Sequence, residues 1–339
     1  MTPWFLVLAH AITLLFIQTD IQTSFAITGG WVYNGSGFEQ RDLYIAKGLF
    51  VSKRPTGSVT EIDAEGRYIV PPYGDAHTHN LDREWQFGFL PDQYVSEGTF
   101  YVQNLTTKTK RVDNYRKRFA STDTIDVAYS HQGLTSTLGH PFMAYEPFAM
   151  GINDSREWPA RMDEIKKSRL DEGNSYLFMD TVEDAREKLP GYFEAGPDIV
   201  KLFFSDIGSH AIKTRDDVPG NTGLTEDVAR YIVAQARQRG LRTIAHIDTA
   251  EDFETALRIG IDAFAHIPSW NGSANTLAAH RISDETMLAA GKRNVGLTPT
   301  LSILALNLDE EQSAARLGYV QDFIRRFLDA GGKLWIASG

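Results

Sequence analysis

Five residues of this chain have the types and spacing for one shared metal site: His77 and His79 in DAHTH, Lys201 in DIVKLFF, His246 in TIAHID and His266 in AFAHIP. Each stands at the end of a short apolar run. Side chains at the carboxyl ends of parallel strands meet at the mouth of a strand-helix barrel, where such folds do their chemistry. Residues i and i+2 of a strand face the same way, so His77 and His79 project together while Thr78 points away. The His-x-His pattern alone is a weak signal. His246 and His266 are 20 residues apart, the length of one strand-loop-helix step, which gives them equivalent positions on adjacent strands. Taken singly, each histidine reads equally well as a satisfied core or rim residue. Lys201 is the unusual member, because a lysine heading into an interior is costly unless paired or modified. An ion pair with Asp206 is its purely structural reading. The chain has no cysteine, so any zinc must be held by imidazole, carboxylate or a modified lysine.

The elements that would position these groups can be read from periodicity. Residues 27–72 hold short strands punctuated by Gly and Asn (ITGGWVYNGSG, DLYIAKGLFVSK, RYIVPP), the pattern of a small β unit. From Asp75 onward, short apolar runs alternate with helical periodicity, the signature of βα units and a parallel sheet. Thr225, Thr249 with Asp252, and Ser283 are helix starts, and Gly240 and Gly331-Gly332 are stops. The final helix is expected to turn Leu317, Val320, Ile324, Phe327 and Leu328 inward. Strands near 72–77, 99–103, 126–137, 198–203, 242–247, 262–266, 295–300 and 333–338 make eight. The expected fold is therefore α/β, a TIM-like (β/α)8 barrel over 73–339 with a small N-terminal β-sandwich part at 27–72, the chain ending at strand eight.

Composition narrows the partners. The 339 residues are 42% hydrophobic and 23% charged, with 44 acidic against 34 basic side chains and a net charge of −10. No basic run exceeds KTKR at 108–111, which argues against a phosphate-tracking surface and so against nucleic acid. The run from Trp4 to Ile17 has the length of an export-signal core, and Ser24-Phe25-Ala26 supplies a small-x-small cleavage pattern after Ala26. Residues 1–26 are read as a signal peptide of a periplasmic or secreted protein. A membrane anchor needs roughly 20 apolar residues, and this run is shorter and carries His10.

These motifs resemble the amidohydrolase superfamily, nearest to its imidazolonepropionase-like and prolidase-like branch with a carboxylated lysine. PPYGDAHTH resembles the family's PGFIDAHTH, EGTFYVQNL its second-strand pattern, LTSTLGH its third and LTPTLS its seventh. The resemblance implies that His77 and His79 bind one zinc, that His246 and His266 bind another, and that carboxylated Lys201 bridges the two. Other divalent metals would also suit such a site. It places His140 on the substrate side. It implies an amidohydrolase that cleaves a C–N amide bond of a dipeptide or N-acyl amino acid with zinc-activated hydroxide. The general base of the family is an aspartate just past strand eight; here the chain reads IASG and ends, so that residue is expected beyond Gly339. Lactone or phosphotriester hydrolysis on the same centre, and a catalytically incomplete metal-binding homologue, are the alternatives. His210, in the loop SDIGSHAIKT after Lys201, is a candidate for the substrate mouth. Trp270 is a second such candidate, and His131 reads as structural. The expected partner is a small molecule, and oligomeric state is not legible.

Overall fold

The computed structural model describes residues 24–82, 84–269, 274–301 and 310–338. The Trp4–Ile17 run, His10 and Trp270 lie outside them. The chain divides into two compact units at Pro71 and Pro72.

The N-terminal unit holds seven short strands: β1 (Ser24–Thr28), β2 (Trp31–Tyr33), β3 (Phe38–Gln40), β4 (Leu43–Ala46), β5 (Leu49–Val51), β6 (Val59–Asp63) and β7 (Tyr68–Ile69). They form a four-stranded sheet in the order β5-β4-β1-β6 and a three-stranded sheet in the order β3-β2-β7. The expected cleavage point after Ala26 falls inside β1, which pairs with β4 on one side and β6 on the other. Ala26 is 0% exposed, so a cut there would remove three of the five residues of an internal strand.

The second unit is α/β with all of its strands parallel. One sheet contains β8 (Tyr73–Thr78), β9 (Thr99–Asn104) and β10 (Asp126–Tyr129). The other runs β12 (Tyr176–Phe178), β11 (Gly133–Thr135), β13 (Ile199–Phe203), β14 (Arg242–His246), β15 (Ala263–Ala265), β16 (Gly296–Thr298) and β17 (Lys333–Leu334) in that order. The single strand expected over 126–137 is broken at 130–132, where His131 takes a left-handed conformation with φ 56°. Its first half pairs with β9 and its second half with β13. The strand β12 has only the residues Tyr-Leu-Phe, too few for a periodicity to show. At the sheet edges, Ala76 N–H donates to the Ile336 carbonyl at 2.8 Å and Asp198 N–H to the Tyr129 carbonyl at 2.9 Å.

The helices follow their local chemistry. Thr249 accepts from the Asp252 N–H, completing a capping box at the helix Ala250–Ile259, and Gly260 ends it at φ 99°. Ser283 accepts from the Thr286 N–H at the start of Asp284–Lys292. Helix Glu226–Gln238 buries Val228, Ile232 and Ala236. In the last helix, Glu310–Asp329, the buried face is Val320, Phe323 and Phe327, whereas Leu317 is 57% and Leu328 46% exposed. The inward face is thus narrower than the apolar pattern suggested, because an apolar residue on a surface helix need not be buried. Among the described residues no helix is long and apolar enough to cross a membrane.

Candidate metal and substrate site

Strand ends bring the histidines together. His77 is the last residue but one of β8 with His79 just beyond the strand, and their Nε2 atoms lie 3.3 Å apart. His266 follows β15 and His246 ends β14; the ring centroids of His77 and His266 are 5.0 Å apart, and those of His246 and His266 4.7 Å. His140 stacks on His246 at 4.7 Å. Five of the nine histidines therefore share one centre with Lys201 of β13.

Threonines at the end of β16 orient two of the rings. The Thr298 hydroxyl donates to the Phe264 carbonyl at 3.2 Å, so toward His77 Nδ1, at 3.3 Å, it acts as acceptor. That network assigns the His77 proton to Nδ1 and leaves Nε2 with its lone pair facing His79. The His79 Nε2–H then donates to it, and the buried His79 Nδ1 has no partner. Thr300 holds His266 Nδ1 at 2.6 Å. His246 Nε2 lies 3.3 Å from an Asp248 carboxylate oxygen. Asp75 ties the site to the chain's last segment: it accepts from His77 N–H, from Tyr94 OH and from both N–H and OH of Ser338.

Lys201 is 1% exposed, and its Nζ has no hydrogen-bond partner among the described residues. Its Nζ lies 5.1 Å from the centroid of the Phe203 ring. The ion pair with Asp206 does not form; Asp206 binds Lys213 at 2.9 Å instead. Burial pushes the Lys201 ammonium down to about 7. Burial likewise takes His79 down to about 3, with Lys201 and His246 adding repulsion. His77, His140 and His266 are held well below the usual histidine range, first by burial and then by neighbouring cations. Each of these imidazoles is neutral at pH 7, the form that binds a metal.

The donors fit a divalent ion in chemistry, since neutral imidazoles and an unpartnered amine are costly to bury without an occupant. Among the described residues, no three His, Asp or Glu side chains alone are arranged to hold an ion. The imidazoles run instead as a connected series, His79–His77–His266–His246–His140.

A cavity of about 620 Å³ includes two residues of this centre, His79 and His140, in its lining, together with Phe203, Trp85, Tyr145 and Phe148. A larger one, about 810 Å³, is lined by Tyr73, Arg116 and Trp335 among others and contains none of the histidines. His210 is not among the residues lining the 620 Å³ cavity; it begins the short helix His210–Arg215, where Asp180 and Gly223 influence it. His131 sits buried in the strand break, away from the centre. Thr298, Thr300, Asp75, Asp248 and Lys108 escaped the sequence reading as site residues. For the threonines the signal was present, as LTPT at a strand end.

Neither a family model nor a curated protein sequence matches this chain. Solved structures do. The chain matches an amidohydrolase with a TM-score of 0.65 at 20% identity, over 93% of this chain and 78% of that one. Against the ochratoxinase of A. niger the TM-score is 0.64 at 15% identity, covering 94% and 76%. Against a prolidase complexed with N-methylphosphonate-L-proline it is 0.62 at 17% identity, covering 93% and 78%. At these identities the likeness is one of fold.

Proposed function

We propose that this chain is a metal-dependent hydrolase of the amidohydrolase kind, cleaving a C–N amide bond in a dipeptide or N-acyl amino acid. In this reading 73–339 is one (β/α)8 barrel whose third strand is broken, 27–72 belongs to a small β domain, and the protein is exported. The observation that carries the proposal is Lys201: a buried amine without a hydrogen-bond partner among the described residues, electrostatically coupled to the imidazoles of His77, His79 and His266.

His77 and His79 would hold one ion, His246 and His266 a second, and Lys201 both. A lysine near 7 is about half amine at neutral pH, and a free amine adds carbon dioxide. An N–C bond forms, one proton leaves to solvent, and the resulting carbamate is an anion with two oxygens for two cations to share. When bound, two divalent ions such as zinc supply an acidified water and a Lewis acid for the substrate carbonyl.

The rest is done by side chains of this chain. Thr298 and Thr300 fix the orientations of His77 and His266, as outer partners of metal-binding histidines do. Phe203, Trp85 and Phe148 wall the cavity with apolar surface, which seats the acyl part of the substrate and excludes water. His140, neutral and stacked on His246, has one N–H with which to orient the substrate.

The test is hydrolysis of a panel of dipeptides and N-acyl amino acids by protein loaded with zinc in bicarbonate, beside a lactone and a phosphotriester. Cleavage confined to C–N bonds supports the proposal. Cleavage of the lactone or phosphotriester alone would replace it with that reading.

A further inference from the structure

Besides the neutral histidines, the described residues lining the cavity at the centre include two acids and two bases: Asp82, Glu84, Lys108 and Arg111. Three of these are committed. Arg111 pairs with Glu84 at 3.6 Å. Asp82 accepts from Asn104 at 2.7 Å and from the Tyr145 hydroxyl at 2.9 Å. Burial pushes its carboxyl up to about 7, even though those hydrogen bonds pull the other way, so its charge is reduced at neutral pH. Lys108 forms no ion pair with any described carboxylate, although it is only half-buried and precedes the helix Thr109–Arg118 on the cavity wall.

The cavity therefore has imidazole donors, aromatic surface from Trp85, Tyr145 and Phe148 and, among the described residues, one lining cation outside any ion pair, Lys108, whose charge acts on the part-neutralised Asp82. Its volume, about 620 Å³, is that of a site for one small molecule. A cation facing apolar walls favours a ligand that is apolar in its body and anionic at one end. We propose that Lys108 is a specificity residue that binds the free carboxylate of the substrate, restricting hydrolysis to N-acyl or N-aminoacyl amino acids with an unblocked C-terminus and an apolar or aromatic side chain. This deepens the hydrolase reading and rests on it for the scissile bond, but the binding claim can be measured alone.

The experiment compares N-acetyl-L-phenylalanine with N-acetyl-L-phenylalaninamide on zinc-loaded protein and on Lys108→Met, Lys108→Arg and Lys108→Glu. Both kcat/KM and equilibrium binding by calorimetry are read. A charge-assisted contact is worth about 10- to 100-fold, so the parent should prefer the free acid by about that ratio in both readouts. Lys108→Met should bring the ratio near one, Lys108→Arg should restore it, and Lys108→Glu should invert it. Restoration by arginine separates recognition of charge from a mere effect on folding. A parent without the preference, or a Lys108→Met variant that keeps it, would overturn the proposal. Acid-selective binding that depends on Lys108, with neither compound hydrolysed, would uphold Lys108 and count against the hydrolase reading.

Discussion

Lys201 is where the chemistry of this chain departs most from an ordinary core. Its ammonium is lowered from 10.5 to about 7 by burial, so the folded protein releases a proton that the unfolded chain keeps between these values. Stability must then rise with pH across that window, by at most about 1.4 kcal/mol per pH unit from this group. His79, lowered from 6.5 to about 3, acts in the same sense between those values. In metal-free, carbonate-free buffer, denaturation midpoints of the parent should therefore climb from pH 7 to pH 10 relative to Lys201→Met. Parallel curves for the two proteins would show that Lys201 is not desolvated. The threonines make a second prediction. Thr300→Val removes the hydroxyl that hydrogen-bonds His266 Nδ1, and loss of such a partner typically weakens metal binding about 10- to 100-fold, measurable by competition with a chelator. Unchanged affinity would mean that the ring is oriented by packing alone.

Elements, more than single residues, were what the sequence displayed. The runs carrying His77, Lys201, His246 and His266 are strands as read, although Lys201 is the middle residue of Ile199–Phe203 and not its end; a β-strand between turn signals leaves a local trace. The broken third strand left none: what distinguishes 130–132 is a left-handed His131 and pairing to two different neighbours, both set by the tertiary fold. Leu317 and Leu328 misled for a related reason, since only contact decides which apolar residues of a helix are covered. Gly223 is another position whose meaning appears only in three dimensions. A Cβ there would run into the carbonyl oxygens of Phe203 and Phe204, at the end of the strand that carries Lys201. Gly223→Ala should cost about 1–3 kcal/mol and displace the Lys201 strand end, lowering both the denaturation midpoint and metal affinity. A variant as stable as the parent would show that the loop yields freely.

For the molecule as a whole, class and charge were legible and the tie between distant segments was not. The α/β pattern follows from alternating periodicity, and the acidic balance from composition. That Asp75 would accept from Ser338 across 263 residues has no sequence signal at all. The central claim spans the same distances, because ligands from β8, β13, β14 and β15 must serve one centre. Zinc content after equilibration with zinc and bicarbonate, followed by gel filtration, tests it most directly. About two equivalents should remain on the parent, since the donors exceed what one tetrahedral ion uses, and Lys201→Ala should lose most of the second. Equal zinc on the parent and on Lys201→Ala would contradict the shared-lysine centre.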